Sequence, residues 1–476
     1  MNEKSNKLIS LLTGLDRAQR RSCRKLIQSP WFSGNADLLD FFDEITLRLD
    51  KGKSLDKKEL WKAVVGKSKA FNDVRFRKYT SDLFKLVREF LTQEMLQLEP
   101  ELKQYLYLAA LEKQSPDKII RGVERNWSQM TSLVNDADYN RYLYRHLLER
   151  RKQSLLNYEH RPYDRSNVEE VSTSLDIYYI VVKLRSAVDA QSRMQTEKHQ
   201  YDLKLVPEIV TFLEQTGSYL DRTPVAIHYY MYKMLTVHDD EEPYYKYKSL
   251  IMGQTDDLPA EQTSELFKPA LNYSRRRINE GRREFLNEYL EVYRYALERD
   301  LVYDDGTLDP LQFRNTILIA LRNGDYDWTE HYINNYQERL PKKQRTNAVN
   351  YNSATLYFYQ KNYDKALDFL RDVEYENTTY NLNAKTMLLA IYYETEADIA
   401  LDSLFDSITA YLNRHKELPL TAQKAFRNLV SFTRRLTRML PGDEKAITQL
   451  QADLAEKKYV ASRPWLEEKI QEFAGG

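Results

Sequence analysis

Apolar positions recur along this chain at steps of three and four. Between residues 73 and 95, Phe76, Tyr79, Leu83, Val87 and Phe90 form one such stripe, the spacing that gathers side chains on one face of an α-helix. Similar patterns predict helices at 36–50 and 56–65. Asp16 and Gln19 have the spacing of a capping box ahead of an early helix. Ser29-Pro30 marks a break, because a residue before proline is pushed out of the helical region. Residues 1–95 therefore read as a small helical domain of their own. Downstream, "LDIYYIVVKLRSAV", "PVAIHYYMYKML" and "NEYLEVYRYALERD" place tyrosines on the apolar stripe, and Tyr outnumbers Phe 36 to 17. Tyrosine fills a helical core while its hydroxyl is expected to reach a wet edge.

The stretch "ATLYFYQKNYDKALDFLRDV", Ala354 to Val373, predicts a helix-turn-helix hairpin: Tyr357, Tyr363, Ala366, Leu367, Leu370 and Val373 fall on facing sides of two helices joined near Lys361 and Asn362. Thirty-four residues on, Ala400, Leu401 and Leu404 repeat the spacing of Ala366, Leu367 and Leu370. Thirty-seven residues back, Thr329 stands at the place of Ala366, with Gly324, Tyr326 and Pro341 at the turn, packing and terminator places. Such a period marks a helical-hairpin repeat.

These residues resemble the tetratricopeptide repeat over about residues 309–413. Tyr357, Ala366, Ala400 and Pro341 match its pattern, whereas Lys361 stands for the turn glycine, Thr329 for the small alanine and Thr378 for the closing proline. "LIQSPWFSGNADLLDFFDEI", "FRNTILIALRNGDYDW" and "YDKALDFL" are also similar to a group of bacterial proteins with tetratricopeptide-like regions. That resemblance implies a fold and carries over no catalytic residue. The expected architecture is all-α: an N-terminal helical domain (1–95), an irregular helical-hairpin array (96–308), the tetratricopeptide-like repeats of an α-solenoid (309–413) and C-terminal capping helices (414–476), the last of them after Pro441.

Composition sharpens this reading. Glycine is 13 and proline 14 of 476 residues, below the usual shares of about 7% and 5%, so tight turns and phosphate loops are scarce. Net charge is zero, but residues 1–100 carry +6 and residues 201–400 carry −10. Cys23 is the only cysteine, which excludes an intramolecular disulfide and a thiolate zinc site and suits a reducing compartment. The N-terminal run Leu8–Leu15 reads as a first helix rather than a cleaved leader. No stretch has about 18 consecutive apolar residues, so no membrane span is expected. A cytoplasmic location follows.

Candidate chemistry is sparse. No Gly-rich phosphate loop or nucleophile elbow is present, and the seven histidines (His146, His160, His199, His228, His238, His331 and His415) form no i, i+4 pair. No cofactor or metal is expected. "HDDEEP", His238 to Pro243, reads either as a cation-binding run or as a solvated loop whose carboxylates favour the next helix through its dipole. Cys23 beside Arg21 and Arg24 is either a thiol of lowered pKa or a packing residue. "SRRRINEGRRE", with Arg275, Arg276, Arg277, Arg282 and Arg283, is interleaved with Glu280 and Glu284. Arg17, Arg20, Arg21, Arg24 and Lys25, with Arg75, Arg77 and Lys78, form a less balanced patch able to meet phosphate or an acidic partner.

The repeats supply the sharper candidate. Steps of 37 and 34 align Arg314, Tyr351 and Lys385 as one ladder along the first helices, and Arg322, Tyr359 and Tyr393 as another. A groove lined in this way is suited to an acidic protein or peptide segment; the alternative is that Tyr359 and Tyr393 are buried between hairpins. The sequence thus points to a non-catalytic protein-interaction scaffold. A regulator whose basic N-terminal domain contacts nucleic acid, and a helical enzyme with a dispersed site, are the two alternatives.

Overall fold

The computed structural model describes residues 6–66, 69–114, 138–156, 165–196, 199–237, 239–255, 258, 260–371, 373, 378–440 and 443–475. His160, His238 and Pro441 lie outside them. Among the described residues the chain is all-helical, with no strand beyond a single bridge between Asp304 and Thr307. Two compact units divide it, Met1–Tyr229 and Tyr230–Gly476.

The first unit opens with α1 (Lys7–Gly14), α2 (Arg17–Gln28), α3 (Ala36–Asp50), α4 (Lys57–Val65) and α5 (Asp73–Leu98). Each of the five begins at an Asn or Asp whose side chain accepts a backbone N–H of the first turn, satisfying donors the helix itself cannot. At α2 the box is reciprocal: Gln19 N–H donates to Asp16 at 2.8 Å and Asp16 N–H to the Gln19 side chain at 3.1 Å. The stripe on α5 is buried along its whole length. With Leu8, Ile9, Cys23, Ile27, Phe41, Ile45, Leu60 and Trp61 it makes one apolar cluster, in which Phe41 meets Phe76 edge-on at 5.3 Å. The unit continues with α6 (Pro100–Gln114), α7 (Tyr139–Leu156), α8 (Val168–Thr196), α9 (Val206–Thr216) and α10 (Thr223–Thr236), and the division of the chain falls inside α10.

The second unit contains α11 (Glu242–Gly253), α12 (Ala260–Asn279), α13 (Phe285–Glu298), α14 (Pro310–Arg322), α15 (Tyr326–Tyr336), α16 (Lys342–Tyr359), α17 (Tyr363–Arg371), α18 (Thr378–Glu394), α19 (Asp398–Arg414), α20 (Leu420–Leu436), α21 (Glu444–Glu456) and α22 (Arg463–Gly475). Six of its tyrosines depart from the expected wet edge. Tyr244, Tyr247, Tyr273, Tyr289, Tyr293 and Tyr332 are fully buried, and their hydroxyls find partners inside the unit. Tyr247 donates to the Leu266 carbonyl at 2.6 Å, Tyr289 pairs with Thr316 at 3.0 Å, and Tyr293 pairs with Tyr332 at 2.5 Å. A buried hydroxyl without such a partner would cost about 1–3 kcal/mol.

Helices α14/α15, α16/α17 and α18/α19 are three successive antiparallel hairpins, with α14, α16 and α18 packed side by side. Their turns are alike. Gly324, Lys361 and Glu396 each take a left-handed conformation, φ +84°, +58° and +53°. The next residue, Asp325, Asn362 or Ala397, donates its N–H at 2.9 Å to a carbonyl five positions back, the bond of a Schellman motif. These turns are 37 and 35 residues apart, which corrects the expected second step of 34. Thr329, Ala366 and Leu401 then occupy one position, each N–H bonded to the carbonyl of Asp325, Asn362 or Ala397. All three are buried while Ala400 is half-buried. Thr329 tolerates burial because its hydroxyl donates to the Asp325 carbonyl at 2.8 Å.

Candidate functional site

Under the observed steps, Arg314 and Tyr351 align with Thr386, and Arg322 and Tyr359 align with Glu394. Lys385 and Tyr393 stand one residue before these positions. A step of 100° around a helix axis separates neighbours, so Lys385 and Tyr393 leave the expected ladders. Lys385 donates to the Ser407 hydroxyl at 2.8 Å; burial first, and Arg414 second, hold its pKa below the usual lysine value. Tyr393 is half-buried and meets Trp465 of α22 edge-on at 5.4 Å, and burial pushes its hydroxyl up to about 12.

The remaining positions converge. A chamber of about 330 Å³ opens between α14, α16 and α18 and is bounded by α20 and α22; Arg314, Tyr351, Asn352, Tyr359, Thr386 and Trp465 line it. Tyr351 is buried, Tyr359 and Arg314 are half-buried, and Arg322 is exposed outside the chamber. Burial raises the Tyr359 pKa, and the nearby Arg322 opposes that rise. No described carboxylate pairs with Arg314 or Arg322. Asn352, 1% exposed, donates its amide to the Ala348 carbonyl at 2.7 Å and leaves its own carbonyl oxygen without a partner. Helix α22 closes the far end: Glu394 accepts Trp465 Nε1–H at 3.2 Å and meets Lys469 at 2.8 Å.

Asn352, Thr386 and Trp465 were not legible as site residues. Thr386 follows only once the 35-residue step is taken from the turns. Trp465 stands 71 residues beyond Glu394, the last residue of α18, and no spacing announces that.

Many of the other candidates are engaged locally. In the basic patch, Arg20 pairs with Asp50 at 2.6 Å, Arg24 with Asp43 at 2.8 Å, Arg75 with Asp37 at 3.3 Å and Arg77 with Asp73 at 2.6 Å. In "SRRRINEGRRE", Arg277 meets Glu280 at 3.0 Å, Arg282 meets Glu241 at 3.1 Å and Glu284 at 2.6 Å, and Arg275 bonds Asn272. The described part of "HDDEEP" starts α11: Asp240 accepts the Glu242 N–H at 2.9 Å, and Glu242 meets Lys246 at 2.8 Å. Cys23 is fully buried, and its thiol is pushed up to about 12 by burial first and Glu94 second. The flanking arginines therefore do not make it a thiolate. His228 is buried with Nδ1 2.8 Å from the Pro224 carbonyl, and burial depresses its pKa to about 4.

No family model, curated protein or solved structure matches this chain.

Proposed function

We propose that this chain is a non-catalytic protein-interaction scaffold, in which a small N-terminal helical domain precedes a tetratricopeptide-like α-solenoid. The first helices of the hairpins present a groove to a protein or peptide segment bearing acidic and apolar side chains. One observation carries the reading: Arg314 and Arg322 lie two turns apart on α14 without carboxylate partners among the described residues, within a stretch of sequence, residues 201–400, whose net charge is −10. A guanidinium without such a partner is available for charge-assisted bonds to a carboxylate. Tyr359 beside Arg322 adds rigid contact area. Helix α22 covers Glu394, so the partner engages α14 and α16 rather than the full length of the repeats. A cytoplasmic setting fits the single buried thiol.

The test is affinity capture on the immobilised full-length protein, with mass-spectrometric identification, followed by titration of the captured partner. Arg314→Glu with Arg322→Glu weakens binding at least tenfold at low salt, mainly through repulsion, with circular dichroism unchanged. Arg275→Glu with Arg283→Glu, outside the three hairpins, leaves it within twofold. Equal effects of the two pairs would remove the groove as the site.

A further inference from the structure

We infer that the chamber between α14, α16, α18 and α22 is a binding site for a small monoanionic ligand, an aromatic carboxylic acid carrying an N–H or O–H donor. This goes beyond the scaffold reading, because the chamber, lined also by Ser462, Pro464 and Trp465 of the C-terminal part of the chain, has the size of a small molecule rather than of a peptide segment. Its volume of about 330 Å³ lies at the small end of the roughly 300–1,000 Å³ typical of ligand pockets.

Three features set the ligand's chemistry. Among the described lining residues Arg314 is the one cationic side chain, and no described carboxylate neutralises it. A partly desolvated guanidinium lacking a counter-charge is costly, and a carboxylate answers its planar fork with two parallel bonds. With a single cation, the chamber balances one negative charge, which favours a carboxylate over a phosphate dianion. Asn352 leaves a buried carbonyl oxygen without a donor, and a ligand N–H or O–H would supply one. Tyr351, Phe358, Tyr359 and Trp465 provide flat apolar surface suited to an aromatic ring.

The experiment is calorimetry on the full-length protein with indole-3-acetate, 4-hydroxybenzoate and benzoate, each against its neutral carboxamide. At least one donor-bearing acid is expected to bind at least tenfold more tightly than its amide and more tightly than benzoate. Arg314→Met should weaken that acid at least tenfold, Asn352→Leu should abolish the preference over benzoate, and Arg322→Glu should change neither. Absence of binding by all three acids at millimolar concentration overturns the proposal, as does equal affinity for acid and amide or undiminished binding in folded Arg314→Met. Should Arg314→Met fail to fold, the acid-against-amide comparison on the unaltered protein decides alone. Because Arg322 lies outside the chamber, loss of partner capture in Arg322→Glu with retained acid binding separates the two readings.

Discussion

Gly324 and Lys361, 37 residues apart, hold the same left-handed backbone conformation, and the residue after each closes the same bond to a carbonyl five positions back. One is the residue type that accepts this geometry without strain, and the other is not. Lys361→Gly is therefore expected to stabilise the protein by about 0.5–1 kcal/mol, seen as a higher urea midpoint at unchanged slope. Gly324→Ala should cost about 1 kcal/mol through the backbone alone, since an added Cβ there meets no atom within 4 Å.

The observed register separates two alanines that the sequence pattern treats as equivalent. Ala366 is fully buried at the crossing of α16 and α17, whereas Ala400 is half-buried and Leu401 takes the buried place. Ala366→Leu should overpack the crossing and cost roughly 1–3 kcal/mol, Ala400→Leu should stay within about 0.5 kcal/mol, and Leu401→Ala should cost roughly 2–5 kcal/mol. Equilibrium denaturation of the three variants checks the order; equal costs for the two alanines would restore the 34-residue step.

His228 gives the stability a dependence on pH of definite sign. Burial depresses its pKa from 6.5 to about 4, so between these values the unfolded chain takes up a proton that the folded chain refuses. Its contribution is fully present above pH 6.5 and is lost as pH falls toward 4, by about 2–3 kcal/mol at pH 4.5. Unfolding of the wild type and of His228→Phe at pH 4.5 and 7.5 isolates this loss from that of the carboxylates. The variant should show the smaller drop.

Cys23 should behave as an inert core atom. Fully buried and with its thiol pushed up to about 12, it is expected to react with a disulfide reagent at pH 8 at least a hundredfold more slowly in the folded protein than in urea. Comparable rates in the two states would show that the α1–α5 cluster opens readily.

What could be read in advance was whatever depends on local spacing. The α5 stripe, the Asp16/Gln19 box and the hairpin at Lys361 are each fixed by residues within a few turns of one another, where helical periodicity and capping chemistry decide the outcome. The second repeat step was misread because Ala400 imitates Ala366 in type, while the turn at Glu396 sets the register through backbone bonds that leave no mark on residue identity. That one-residue shift exchanged Lys385 and Tyr393 for Thr386 and Glu394. Nor could the pairing of Trp465 with Tyr393 be foreseen, since packing between distant helices obeys no period.

The internally bonded tyrosines of the second unit give the protein an alkaline ceiling. Burial raises the hydroxyls of Tyr244, Tyr247, Tyr293 and Tyr332 well above the ordinary value of 10, so the folded core holds its protons while any unfolded chain surrenders them above that pH. Stability conferred by these groups is complete below pH 10 and drains away as alkalinity climbs. Each phenol adds its own increment, so the loss is shared by several helices at once rather than confined to one weak point. Near the ceiling, then, tyrosinate absorbance at 295 nm should rise in two stages, the surface phenols first and the core in a single late step coincident with the collapse of helical dichroism.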